Sequence, residues 1–258
     1  MMASVPNFRD LGGLEAADGR RVRRGLVYRS EQLYAVSPED LAWLAGLGLA
    51  GVFDLRSPEE AQARPDRLPP GVSVVAIDVL ADAQLGGLDG FERLLRDPRE
   101  ANAILGGGKV DATLERVYRG FVSLPSARRG FGRLFSAILE PGGLPLLFHC
   151  ATGKDRTGWA AAALLTLLGV PRAAVEADYL ASNAIILAGY RPVIDRFAAA
   201  GGERRILESL FGVHPAHLAA AFDEMTQHHG SMASYFAEGL GIGPAAQDAL
   251  RTLLLDPS

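Results

Sequence analysis

The stretch LPLLFHCATGKDRTGWAAAALLTLLG, residues 144–169, reads as a short apolar strand, a polar loop opened by His149 and Cys150, and an apolar helix starting near Arg156 and Thr157. In a strand–loop–helix of this kind the amides of Ala151, Thr152, Gly153, Lys154, Asp155 and Arg156 can turn toward an anion, helped by the positive end of the helix. Cys150, the chain's only cysteine, sits at the floor of that cradle. Six residues later Arg156 offers a guanidinium that can fork onto two phosphate oxygens. Amides, helix end and arginine together favour the thiolate, the form in which a cysteine attacks phosphorus.

Outward from the loop, the pattern is strands separated by helices. GLVYRS at 25–30, AGVFDL at 50–55 and VSVVAID at 72–78 are buried-strand candidates, with NFRDLGG at 7–13 as an earlier extended segment. Ser37-Pro38-Glu39-Asp40 and Ser57-Pro58-Glu59-Glu60 share one helix-start grammar: a serine N-cap, proline at the first position, acids in the first turn. Asp111–Leu124 presents Leu114, Val117, Tyr118 and Phe121 at helical spacing, and Pro171 opens a further helix. These alternations predict an α/β fold with a central, mostly parallel sheet flanked by helices and a site at the carboxyl ends of its strands. Residues 79–110, broken by Gly86, Gly87 and Gly106–Gly108, read as a mobile insert. Gly108-Lys109 lacks the spacing of a nucleotide-binding P-loop.

Composition narrows the function classes. At 258 residues with 48% apolar and 22% charged side chains, the chain has the makeup of an ordinary globular protein. One cysteine excludes an intramolecular disulfide, and a net charge of -4 supplies no footprint for nucleic acid. The first residues lack the build of a signal peptide and no apolar run is long enough to span a bilayer, so no integral membrane segment is expected. A cytoplasmic location is the default expectation, compatible also with leaderless secretion. His214, His217, His228 and His229 have no carboxylate or cysteine at metal-ligand spacing; they read as solvated helix ends, and neither metal nor cofactor is expected.

HCATGKDRTG carries the cysteine, five residues, arginine, Ser/Thr signature of cysteine-dependent phosphatases, and its GKDRTG ending resembles the atypical protein tyrosine and lipid phosphatase family of bacteria. NFRDLGG, YRS, DLRS and ADYLASN resemble the same family, so the likeness spans most of the chain. It implies a single phosphatase domain over 1–258, with a protein-tyrosine-phosphatase-like fold and a helical lid at about 183–211. Apolar Ile185, Ile186, Leu187, Tyr190, Ile206 and Leu207 would then shield the site. The resemblance also implies a catalytic set, Cys150 as nucleophile, Arg156 as phosphate clamp and Asp155 as general acid inside the loop, with Asp78 or Asp82 as the alternative acid.

Ala151, Thr152, Gly153 and Lys154 would bind substrate, Lys154 as a second cation at the mouth suited to substrates with several phosphates. His149 would orient the loop with its ring turned away from the phosphate, and Thr157 would hydrogen-bond the thiolate, with Gly158 beside it. Asn7, Arg9, Asp10, Asp54 and Arg56 would form a supporting layer beneath. Phosphotyrosine proteins and phosphoinositides are the expected substrates. The rival readings are a catalytically inactive module that binds phospho-ligands, and a sulfur- or arsenate-transfer enzyme, which lacks here a second cysteine to resolve its intermediate.

Overall fold

The computed structural model describes residues 2–83 and 94–257. Five strands form one sheet: β1 (Arg9–Asp10), β2 (Val27–Ser30), β3 (Gly51–Asp54), β4 (Val74–Ala76) and β5 (Leu146–His149), in the order β1-β2-β5-β3-β4. Only β1 runs antiparallel, against β2. In the centre, His149 of β5 is level with Ser30 of β2 on one side and Asp54 of β3 on the other. Three carboxyl ends thus finish together, where a parallel sheet presents its ligand site.

The two faces of the sheet follow the two-residue period of a strand. Val27, Phe53, Leu146 and Phe148 join a large core with helices α5 (Pro125–Ala137), α6 (Arg156–Leu167) and α9 (Pro215–His229), while Tyr28, Val52 and Leu147 face a smaller cluster under α1 (Pro38–Gly46). In α6 nearly every residue from Thr157 to Leu165 is buried. An all-apolar helix of this kind is a core helix, and its run of alanines lets neighbours approach on every side.

The serine-proline starts behave as the sequence predicts. Ser37 caps α1, and Ser57 with Glu60 makes a reciprocal capping box at α2 (Pro58–Ala63). The expected mobile insert is corrected at its carboxyl end: α3 (Pro98–Leu105) is capped by Asp97, and α4 (Lys109–Ser123) begins directly after Gly108. Local capping chemistry there overrides the glycines. The remainder, including Gly86, Gly87 and the pattern from Phe91, lies largely outside the described residues. The helix from Pro171 runs on as α7 (Arg172–Ala199) through Pro192 and is followed, after Gly201-Gly202, by α8 (Arg204–Phe211). A third cluster joins Ala101, Leu105, Val110, Ile194, Phe197, Ile206, Leu207 and Phe211, so the far half of α7 and α8 pack on α3 and the start of α4. No helix among the described residues is long and apolar enough to cross a membrane.

Candidate active site

Cys150 follows β5 directly, is 1% exposed, and leads into a loop that ends where α6 begins at Arg156. Among the described residues the amides of 151–156 donate no hydrogen bond to another protein group. Backbone donors at a helix N-terminus that lack protein partners are anion receptors. Gly153 has φ +67°, and a Cβ there would lie 2.2 Å from the Ser30 carbonyl oxygen, so the loop's close contact with β2 requires glycine.

The Arg156 guanidinium is aimed by Glu60. Nη1 donates to Oε2 at 2.6 Å and Nη2 to Oε1 at 2.8 Å, with Nη1 also 3.2 Å from the Leu55 carbonyl. Glu60 accepts the Ser57 amide at 2.9 Å as well, so the capping box of α2 and the orientation of Arg156 share one carboxylate. Burial works against the charge on Arg156, but the Glu60 bonds and the Cys150 and Asp155 charges outweigh it and hold its pKa above the usual arginine value. Burial raises Glu60, and the Arg156 bonds reverse that, leaving its pKa below the ordinary glutamate value.

Beneath the loop lie two buried charge clusters. In the first, Arg29, fully buried, donates to the Gly153 carbonyl at 2.8 Å and to Asp178 Oδ2 at 2.6 Å. Arg9 grips the other oxygen of Asp178 at 2.7 Å and the Asn7 side chain at 2.6 Å, and Asn7 in turn donates to the Thr152 carbonyl at 2.8 Å. Burial and the neighbouring Arg9 charge push Arg29 down to about 10, although Asp178 partly offsets them. Asp178 is raised by burial and lowered further by the two arginines, which prevail. In the second, Arg56 bridges Asp54 and Asp66, each at 2.7 Å, and His149 Nε2 lies 3.2 Å from Asp66. Asp54, Asp66 and His149 are close enough together to hold a metal ion, but the Arg56 guanidinium already meets both carboxylates.

The expected site residues fall into three groups. Cys150, Asp155, Arg156 and the loop converge, with Asn7, Arg9, Asp54 and Arg56 beneath or beside them. The His149 ring is turned to Asp66 and to the Cys150 carbonyl, 3.2 Å from Nδ1. The Thr157 hydroxyl is buried without a hydrogen-bond partner, Cys150 included. A Cβ on Gly158 would meet the Tyr179 ring at 3.0 Å, so this glycine admits α7 to the back of the loop.

Other residues are placed differently from expectation. Asp10 stands apart: successive strand residues face opposite ways, and its carboxylate accepts the Gly12 and Gly25 amides, each at 2.7 Å. Lys154 does not stand open at the mouth. It is 4% exposed, with Nζ 2.8 Å from Asp155 Oδ2 and 3.0 Å from the Gly212 carbonyl beyond α8. Asp78 accepts the Leu80 amide at 2.9 Å, and Asp82 accepts the Ser126 amide at the start of α5. Ile206 and Leu207 are buried in the α3–α4 cluster, and Tyr190 stacks on Phe211 at 4.0 Å between ring centres. His217 is buried against Tyr118, which corrects its reading as a solvated helix end, and burial lowers its pKa.

Glu60, Asp66, Asp178, Tyr118 and Tyr179 escaped the reading of the site, and Arg29 was legible only as the end of a strand that meets it. For Glu60 the available signal is the first-turn acid of a helix whose start faces the sheet's carboxyl edge. For Arg29 it is an arginine inside a buried strand. A separate cavity of about 530 Å³ between α7 and α8, lined by Asn183, Leu187, Arg191, Arg205 and His214 among others, includes no residue of the phosphate loop.

A mostly parallel sheet thus delivers a lone buried cysteine into a loop of unpartnered amides closed by an oriented arginine, an arrangement suited to an anion such as phosphate. Residues 1–256 match the tyrosine phosphatase family. The chain is 35% identical over 243 residues to a protein of Cupriavidus necator named as a tyrosine-protein phosphatase, covering 94% of this chain and 84% of that protein. It is 29% identical over 272 residues to the triple specificity protein phosphatase PtpB of Mycobacterium tuberculosis, covering 96% of each. The chain belongs to the tyrosine phosphatase family, whose members are hydrolases.

Proposed function

We propose that the protein is a phosphomonoesterase that cleaves phosphotyrosine through a phosphocysteine at Cys150. The observation that carries this reading is the convergence of three features on one point: the buried cysteine, loop amides without protein partners, and Arg156 held by Glu60. Sγ attacks phosphorus in line as the bond to the leaving oxygen breaks. The amides and Arg156 stabilise the charge on the equatorial oxygens. Asp155 gives its proton to the departing phenolate. Water then attacks phosphorus, the S–P bond breaks, and Asp155 recovers a proton from the water. Thr157, whose buried hydroxyl lacks a partner, donates to the thiolate as it leaves. Charge stabilisation comes from amides and guanidinium, so no step calls on a metal.

Phosphoinositides are proposed as a second substrate class. A relative described as triple specificity favours a broad appetite, and Lys154 supplies an additional cation once it parts from Gly212. The segment from Asn183 to Phe211 is proposed as the lid whose displacement frees that ammonium.

The test is hydrolysis of an aryl phosphate by the wild type and Cys150→Ser, each with and without chelator. Turnover by the wild type in chelator, absent in Cys150→Ser while phosphate binding persists, is expected. Activity of Cys150→Ser near wild type, or loss on chelation, would overturn the mechanism. A panel of phosphotyrosine peptide, phosphoserine peptide and phosphoinositide then ranks the substrates, and no turnover of the lipid removes the second class.

A further inference from the structure

Asp155 Oδ1 accepts the Tyr118 hydroxyl of α4 at 2.7 Å, and that hydroxyl lies 2.6 Å from the Tyr179 hydroxyl of α7. A phenol has one proton to donate, and a carboxylate only accepts. Tyr118 therefore donates to Asp155 and accepts from Tyr179. The chain runs one way, from Tyr179 through Tyr118 to Asp155. Both phenols are at most 1% exposed. Burial, reinforced by the Asp155 charge, pushes their pKa values well above the ordinary tyrosine value, so they stay protonated and remain donors.

Lys154 Nζ hydrogen-bonds Oδ1 of Asp155 at 3.0 Å and lies 2.8 Å from Oδ2, so its charge reaches both oxygens. Tyr118 touches one.

We propose that Tyr118, backed by Tyr179, is a positioning residue that determines which oxygen of Asp155 carries the catalytic proton. With Oδ1 occupied by an incoming O–H, the proton resides on Oδ2. As the S–P bond forms and the bond to the leaving oxygen breaks, the proton passes from Oδ2 to that oxygen, and the Tyr118 O–H stabilises the charge left on the carboxylate. In the second step Oδ2 takes a proton from the attacking water. This inference rests on the reading of Asp155 as the general acid.

The experiment measures kcat/KM on two aryl phosphates, one with a poor leaving group such as 4-methylphenol and one with a good one such as 2,4-dinitrophenol. Tyr118→Phe keeps the ring and removes the donor. It is expected to slow the poor leaving group about tenfold, a part of the hundredfold or more that a general acid supplies, and the good one by less than about threefold. In an Asp155→Asn background the same change is expected to do nothing further. Equal slowing of both substrates, or an undiminished effect in the Asp155→Asn background, would mark Tyr118 as a packing residue and overturn the inference. Those results leave the acid reading intact if Asp155→Asn alone still discriminates between leaving groups. If Asp155→Asn slows both substrates equally, the acid reading fails and the inference with it. Should Tyr118→Phe fail to fold, Tyr179→Phe decides: a smaller loss confined to the poor leaving group supports the chain, and a uniform loss contradicts it.

Discussion

The phosphate loop is held from two sides by different physics. Below it, Arg9, Arg29 and Asp178 on one flank and Asp54, Arg56, Asp66 and His149 on the other form buried charged networks drawn from strands and helices far apart in the chain. Above it, the end of α7 and all of α8 share an apolar cluster with α3 and the start of α4. Their direct hydrogen bond to the phosphate loop is from Lys154 to the Gly212 carbonyl at 3.0 Å, while Asn183 holds both backbone groups of Val213 at 2.8 and 2.7 Å within the segment and Arg205 and Ser209 bond Asp111 of α4. Buried ion pairs stabilise a fold weakly on balance, yet breaking one by removing a partner is costly. The lower side is therefore rigid by construction. The upper side is a packed unit, and if it acts as the proposed lid, the bond it gives up to the loop is that of Lys154 to Gly212.

Variants on the two sides should differ accordingly. Arg29→Met leaves the Gly153 carbonyl without its donor and half the charge on Asp178 unmatched. It should cost about 3–5 kcal/mol of unfolding free energy and most of the activity, read by denaturant titration. A loss below about 1 kcal/mol would show that the lower network is not rigid. Glu60→Gln keeps an acceptor for the α2 cap but weakens the hold on Arg156. It should lower kcat/KM on any aryl phosphate roughly tenfold to a hundredfold, in line with the loss of one preorganised electrostatic contact, with little change in melting temperature. Asn183→Ala, on the upper side, should cost only about 1 kcal/mol while speeding alkylation of Cys150; an unchanged alkylation rate would mean that the upper segment does not gate the site.

The lower network also sets an acid limit. Asp178, Asp66 and Glu60 all have native pKa values below their ordinary ones, because hydrogen bonds and charges from Arg29 and Arg9, from His149 and Arg56, and from Arg156 outweigh burial. Their stabilisation is therefore complete above the unfolded carboxylate range, about pH 4 to 5, and is lost as pH falls through the lower native values. Thermal unfolding followed from pH 7 to pH 3 should show a steep decline below about pH 4. The decline should be shallower in Asp178→Asn.

The same contrast explains what the sequence disclosed. Cys150, Arg156 and the strand–loop–helix around them are contiguous, and serine-proline-acid starts report their helices by local rules. The partners of the loop are not contiguous: Arg29 and Asp178 are 149 residues apart, and Glu60 and Arg156 are 96 apart. No spacing rule links such pairs. Tyr118 was legible as a core residue from its helical spacing, but its hydroxyl is the part that reaches Asp155, and periodicity is blind to the polar end of an amphipathic ring. Lys154 looked like an open cation because a charge in a polar loop is usually solvated; the Gly212 carbonyl that captures it belongs to a segment 58 residues away.

The covalent intermediate is itself open to trapping. Wild-type protein mixed with a phosphotyrosine peptide and denatured within milliseconds in detergent should carry one phosphate on Cys150 by intact mass and peptide mapping, in chelator as well as without it. The adduct should be absent from Cys150→Ser. Steady turnover with no phosphate on Cys150 at any quench time, or an adduct on another residue, would contradict the account.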